Sequence, residues 1–305
     1  MLGCNFCGGE AVYLRHYSKE RFCKKCYIRV IEKQVQHTIT RHRMLKPDDK
    51  IVVALSGGKD SVSLLHLMSR IEERFPRSEL LTVTIDEGIR KYRSDALRIA
   101  RESSQDLGVE HYVYSFKSLY GHTLDEIADA ARQRGRRFIC SYCGILRRKA
   151  LNVAARDLGA TKIVTAHNLD DEIQSMVMNF LRGDLNRISG SDKAENHLGL
   201  IPKVKPLSEI PERDIALYAF IRKLGFQSFC CPYTESSLRS DVRGFLNMLE
   251  HKHSGMKYTT YRSLEKIRTH LTYRDDRSLR LCELCSEPTS REVCMACQIL
   301  KELGS

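Results

Sequence analysis

The stretch Lys50-Ile-Val-Val-Ala-Leu-Ser56-Gly57-Gly58-Lys59-Asp60-Ser61 decides the fold. Its first half is a short β-branched apolar run, the signature of a strand buried on both faces of a parallel sheet. Its second half is a turn that opens a helix, because Ser61 to Arg74 sets Leu64, Leu65, Leu67, Met68 and Ile71 on one apolar face. The paired glycines let the backbone turn tightly and aim its amide hydrogens at an anion, and the helix amino terminus adds partial positive charge. A phosphate-binding loop is therefore expected between the first strand and its helix. Its spacing lacks the four-residue gap of the Walker A pattern, which sets it apart from the ordinary P-loop ATPases.

Outward from this loop the chain alternates strand and helix. Strands are expected at Leu80 to Ile85, Glu110 to Tyr114 and Lys162 to Ala166, with helices at about 27–43, 93–107, 122–134, 144–158 and 170–181. Residues 182–205 read as a long loop, followed by a helix near 211–224 and a basic helical stretch at about 237–280. The alternation predicts an α/β fold, a doubly wound parallel sheet covered on both faces, with ligands beyond the carboxyl ends of its strands. Two segments fall there. Backbone beside Asp86, in Asp86-Glu87-Gly88-Ile89, is placed to hold adenine. In His167-Asn168-Leu169-Asp170-Asp171-Glu172 the paired carboxylates could hold magnesium or orient a reacting group, or Asn168 or Asp170 could simply cap the next helix.

Ten of the 12 cysteines fall in five Cys-x-x-Cys pairs, and the other two are adjacent, Cys230 and Cys231. Cys4, Cys7, Cys23 and Cys26 form one double knuckle, and Cys282, Cys285, Cys294 and Cys297 another. Each is the pattern of a closed four-thiolate zinc ribbon with no position left for substrate. The middle pair, Cys140 and Cys143, has no second pair to complete such a site. It sits in Arg132 to Lys149, which holds seven basic residues and no acidic one, surroundings that stabilise thiolate and attract polyphosphate. With a third thiolate from Cys231 it would leave a fourth corner open, which suits a 4Fe–4S cluster. A catalytic disulfide or a persulfide on this pair is the competing reading, and spacing alone does not separate Cys230 from Cys231.

The composition is that of a folded globular chain, 42% apolar and 29% charged, which excludes wholesale disorder and collagen-like or coiled-coil character. No apolar stretch approaches membrane-spanning length and the start lacks a secretory signal, so a cytoplasmic protein without membrane association is expected. A net charge of +12 and a pI near 9.1 point to a polyanionic partner, nucleic acid foremost. Arg132, Arg134, Arg136 and Arg137 are candidates to meet phosphates, as are Arg262, Lys266, Arg268, Arg274, Arg277 and Arg280.

The loop Ser56 to Ser61 resembles the Ser-Gly-Gly-x-Asp-Ser loop of the ATP pyrophosphatases, or PP-loop enzymes. Together with the terminal cysteine pairs, Cys140-Ser-Tyr-Cys143-Gly, His167-Asn-Leu-Asp-Asp171, Val204-Lys-Pro-Leu207 and Cys231-Pro-Tyr233, it makes the whole chain similar to the TtuA and TtcA tRNA thiolation enzymes. The terminal ribbons place it on the TtuA-like side, nearest the archaeal 2-thiouridine branch. The resemblance implies adenylation of the C2 oxygen of a tRNA uridine with ATP and magnesium, then replacement by sulfur held at the open iron of a three-cysteine cluster. It implies nucleotide contacts from Ala54, Ser56, Gly57, Gly58, Lys59, Asp60, Ser61, Asp86, Arg147 and His167. It implies catalytic roles for Asp60, Cys140, Cys143, Asp171 and Cys231, and a homodimer. The sulfur donor, whether sulfide, a persulfide or the thiocarboxylate of a ubiquitin-like protein, stays open. The corresponding division is a ribbon at 1–30, a catalytic domain at 31–235, a basic helical segment at 236–280 and a second ribbon at 281–305. A PP-loop ligase or amidase acting on a small molecule is the alternative within the fold, and a non-catalytic RNA-binding protein is the alternative outside enzymes.

Overall fold

The computed structural model describes residues 3–136, 139–189, 199–234, 238–270 and 279–302. A hairpin of β1 (Tyr13–Arg15) and β2 (Glu20–Phe22) leads into α1 (Lys24–Arg41). Then come β3 (Lys50–Ala54), α2 (Lys59–Glu72), β4 (Glu79–Asp86), α3 (Arg93–Asp106), β5 (Glu110–Ser115), α4 (Phe116–Tyr120), α5 (Leu124–Gln133) and α6 (Ile139–Asp157). The second half carries β6 (Lys162–Val164), α7 (Leu169–Leu181), α8 (Leu185–Ser189), β7 (Lys203–Val204), α9 (Glu212–Ile221), α10 (Leu238–Lys252) and α11 (Met256–His270). A small hairpin, β8 (Arg280–Leu281) with β9 (Pro288–Thr289), and α12 (Met295–Glu302) end the described chain.

The central sheet has the order β5-β4-β3-β6-β7, and its pairings are all parallel. It is the doubly wound sheet that the alternation predicts. Strand β3 shows why both faces are covered: Ile51, Val53 and Leu55 enter the core against α1, α2 and α9, while Val52 points to the opposite core against α5 and α6. Each predicted strand is present within one or two residues of its expected ends.

Three features differ from expectation. Helix α6 starts at Ile139 rather than near 144, so Cys140 and Cys143 lie in its first turns. Gly144 weakens the local helical signal, but Ile139 and Leu146 are buried and anchor the extension. The expected loop at 182–205 contains α8 and edge strand β7, while the basic helical carboxyl stretch is present as α10 and α11. Helix α1 carries ribbon residue Cys26 in its first turn and continues through core residues Ile31, Val35 and Ile39, so one unbroken helix joins ribbon to domain across position 30. Arg137, Arg274 and Arg277 lie outside the described residues. Among the described residues, no helix is long and apolar enough to cross a membrane.

Candidate functional site

The strand order reverses between β3 and β6, so the loops leaving these two strands diverge and open a crevice at their carboxyl ends. The Ser56–Ser61 loop lies on one side and His167–Asp171 on the other, with Asn168 Nδ2 3.5 Å from Asp60 Oδ1. Gly57 has φ +82°, and a Cβ there would stand 2.5 Å from the carbonyl oxygen of Ala96, so the turn requires glycine. Ser61 Oγ accepts from the amide of Ser56 (3.1 Å) and donates to the carbonyl of Gly58 (2.9 Å), which folds the loop onto the first turn of α2. Gly58 caps α2 without any side chain, so the first-turn amides are offered to an anion.

Lys59 Nζ lies between two carboxylates, 2.8 Å from Asp60 Oδ2 and 2.7 Å from Glu212 Oε1, and Arg243 holds Glu212 from the far side at 2.6 Å. Burial pushes the Asp60 carboxyl up, the charge of Lys59 opposes this, and Glu212 and Asp171 push the same way as burial. Asp60 thus senses Asp171 and Glu212 as well as Lys59. Ala54 ends β3, and Asp86 ends β4 with its Oδ1 accepting from the amide of Gly88 at 2.9 Å.

On the β6 side, Asn168 and Asp171 cap α7 reciprocally: each side chain accepts from the other's amide at 3.1 Å. Asp171 also faces Arg239 at 3.6 Å. Asp170 is buried, accepts from the amide of Glu212 (2.8 Å) and pairs with Lys257, so its role is to fasten α9 and α11 to α7. The capping alternative therefore falls to Asn168 with Asp171 rather than to Asp170. His167 Nδ1 is 2.9 Å from Thr165 Oγ1, and desolvation together with the Lys205 ammonium holds its imidazole down at about 4.

The middle cysteines gather at the other end of the crevice. Cys140 Sγ donates to the carbonyl of Tyr233 at 2.7 Å, which brings the Cys231-Pro-Tyr233 segment onto α6. Burial pushes the Cys143 thiol up to about 12; Arg147 opposes this, while Glu87, Cys231 and Cys140 add to it. Cys231 senses the same neighbours, whereas Cys230 is exposed. The segment carrying Cys231 also reaches the phosphate loop: the amide of Gln227 donates to the carbonyl of Gly57 at 2.8 Å, and Gln227 Nε2 donates to the carbonyl of Tyr92 at 2.7 Å.

Sulfur spacing separates this trio from the ribbons. Four thiolates on one tetrahedral zinc at a Zn–S bond of about 2.3 Å stand about 3.8 Å apart. Cys7 and Cys23 are 3.6 Å apart, Cys285 and Cys294 are 3.7 Å apart, and all four sulfurs in each ribbon lie within 4.8 Å of one another. Among the described residues, Cys140, Cys143 and Cys231 do not form such a close-packed group. In both ribbons the first cysteine is held at about 6: burial opposes ionisation, but knuckle amides donate to Cys4 and Cys282 and prevail. Helix α6 ties the second ribbon in, because Lys149 Nζ lies 3.0 Å from Cys285 Sγ and 3.7 Å from Cys297 Sγ. The first ribbon is keyed to α9 by the buried pair of Arg15 and Asp214 at 3.2 Å.

Two side chains that sequence reasoning left without a role connect the halves of the crevice. Glu87 pairs with Arg93 at 2.8 Å and with Arg147 at 3.5 Å, while Arg93 donates to the carbonyls of Ile85 (2.6 Å) and Ser56 (3.3 Å). The position of Glu87 directly after Asp86 at a strand end was the one local signal. Glu212, far away in the chain, gave none.

Comparison with known proteins agrees with this geometry. A family model described as a PP-loop domain matches residues 28–247. The tRNA 2-thiolation protein NcsA of Haloferax volcanii is 33% identical, over 98% of each chain. The cytoplasmic tRNA 2-thiolation protein 1 of Chlamydomonas reinhardtii is 36% identical over 97% of this chain and 83% of its own. Among solved structures, the U34-tRNA thiolase NcsA of Methanococcus maripaludis with its [4Fe–4S] cluster superposes with a TM-score of 0.88 at 32% identity, covering 100% of this chain and 97% of that one.

Proposed function

The chain belongs to the PP-loop family of tRNA 2-thiolation proteins, and on that premise we propose that it is an ATP-dependent tRNA sulfurtransferase making 2-thiouridine. One observation supports the reading: the segment from Gln227 to Tyr233 touches both the phosphate loop, at Gly57, and the middle cysteine pair, at Cys140. A small-molecule ligase would use the first and has no need of the second.

In this reading the amides of Gly57 to Lys59 and the Lys59 ammonium receive the ATP phosphates. Asp60, with Asp171 and Glu212 nearby, holds the magnesium ion that accompanies them. The C2 oxygen of a uridine attacks the α-phosphorus and pyrophosphate leaves. A sulfur nucleophile then adds at C2, and AMP departs with the former oxygen. The reacting base leaves its stack to reach the crevice, as enzymes acting on a base require. Cys140, Cys143 and Cys231 are the thiolates that would hold a [4Fe–4S] cluster, which when bound supplies one iron with an open position for the incoming sulfur. Arg147, beside these thiols, offsets their negative charge. The two ribbons hold zinc and act structurally. A cytoplasmic homodimer, with sulfide or a ubiquitin-like thiocarboxylate as donor, completes the proposal.

The test is an anaerobic reaction of cluster-loaded protein with ATP, magnesium, a sulfur donor and unmodified tRNA, followed by mass spectrometry of the nucleosides. The reading expects 2-thiouridine only when both ATP and donor are present. Unchanged nucleosides together with pyrophosphate release on a small amine or amide substrate would favour the ligase instead.

A further inference from the structure

Between α1, α2 and α9 lies a groove with a volume of about 450 Å³ and an adjoining pocket of about 360 Å³. Its walls carry seven cationic side chains against two carboxylates, Glu32 and Glu73. Arg70 and Arg222 share the single carboxylate of Glu32, at 2.8 and 2.9 Å. Lys24, Lys25, Arg29 and Lys33 are exposed and have no carboxylate partner among the described residues. By contrast, two of the basic residues flanking the middle cysteines are already engaged, Arg132 with Asp129 and Arg136 with Glu302.

The placement of these four cations is unfavourable for the helix itself. Lys24 and Lys25 occupy the first turn of α1, which holds no acidic residue, where the helix dipole disfavours positive charge. Lys25, Arg29 and Lys33 follow at intervals of four, a like-charge stripe that repels along the helix. From Lys24 to Lys33 the row extends about 14 Å at the helical rise of about 1.5 Å per residue. A single phosphate would occupy one point of it, whereas a linear polyanion would occupy all of it. The groove lies at the far ends of α2 and α9 from the crevice, about 16 Å away at the helical rise of about 1.5 Å per residue. Helix α2 runs from Lys59 at the phosphate loop to Arg70 in the groove, and α9 runs from Glu212 beside Lys59 to Arg222.

We propose that this groove binds the sugar-phosphate backbone of the substrate RNA, with Arg29 and Lys33 as its phosphate-neutralising side chains. The proposal rests on the tRNA 2-thiolation reading above. Lys24 and Lys25 flank the ribbon thiolates Cys23 and Cys26 and also offset their charge, so Arg29 and Lys33 give the cleaner test.

The experiment compares tRNA binding by the zinc- and cluster-loaded wild-type protein and its Arg29→Glu/Lys33→Glu variant across a salt series. Zinc content and ATP affinity are measured alongside. The proposal expects weaker tRNA binding and a log–log salt slope shallower by about 1.4 to 1.8, at about 0.7 to 0.9 for each phosphate no longer neutralised, with zinc and ATP binding unchanged. A variant with wild-type slope and affinity overturns the groove assignment while leaving the thiolation reading intact. Wild-type protein that fails to bind tRNA at all overturns both. A variant that keeps wild-type tRNA binding but releases an acidic protein partner overturns the RNA assignment.

Discussion

Arg93 Nε stands 2.8 Å from Glu87 Oε2, with the two side chains only 7% and 5% exposed, and this buried pair joins the nucleotide end of the crevice to its thiol end. Arg93 grips the carbonyl of Ser56 in the phosphate loop, and Glu87 reaches Arg147 beside Cys143 and Cys231. Removing one partner of a buried pair strands the other's charge, at a cost of about 3 to 5 kcal/mol. Glu87→Ala should therefore lower unfolding stability by about that much. Glu87→Gln, which keeps a hydrogen-bond acceptor, should cost less and act mainly through a raised KM for ATP. Chemical denaturation and steady-state kinetics of the two variants check this, and wild-type stability in Glu87→Ala would contradict the pair's structural role.

Metal content separates the three cysteine groups. Anaerobically purified protein should carry about two zinc and four iron per chain. Cys231→Ala should lose iron and keep zinc, and Cys230→Ala should keep both, because Cys230 is exposed and Cys231 faces the other two thiols. Elemental analysis decides it. Iron lost from Cys230→Ala alone would reassign the third ligand.

In the phosphate loop, Asp60→Asn should reduce pyrophosphate release by about 100-fold or more, in the range found when a preorganised group facing transition-state charge is removed. Zinc content and the melting profile should be retained, since Asp60 is partly exposed and packs little apolar surface. Unchanged turnover would remove Asp60 from the reaction.

Acid should charge the half-buried imidazole of His66. Desolvation, with Arg222 and Arg70 nearby, holds it at about 4, and its Nδ1 lies 2.9 Å from Tyr218 Oη. The unfolded chain takes up a proton at about 6.5, so between about 6.5 and 4 the unfolded state binds more protons and stability falls as pH falls. Its share is fully present above about 6.5. Discounted for partial exposure, the loss is on the order of 2 kcal/mol. Denaturation midpoints at pH 7 and pH 4 should differ less in His66→Gln than in wild type, and an equal difference in both would contradict the assignment.

The sheet was legible because strand and helix periods alternate cleanly around Ser56 to Ser61, and the ribbons because paired Cys-x-x-Cys spacing has few other uses. The start of α6 was not, since Gly144 interrupts the helical pattern just where Ile139 and Leu146 restore it by burial. Lys59 with Glu212 and Lys149 with Cys285 are contacts between distant elements. They depend on which helices the sheet order sets side by side, and no local pattern encodes that. The capping role of Asn168 was legible in the sequence, but the reciprocal bond from Asp171 needed coordinates.

The central claim is that nucleotide activation and sulfur delivery are separate tasks of two ends of one crevice. The direct measurement follows tRNA-dependent pyrophosphate release and 2-thiouridine formation side by side in wild type and Cys231→Ala, each reconstituted anaerobically. Wild type should yield both products in step. Cys231→Ala should still release pyrophosphate in response to tRNA while forming no 2-thiouridine. Undiminished 2-thiouridine from Cys231→Ala, or pyrophosphate release by wild type that ignores tRNA, would contradict the account.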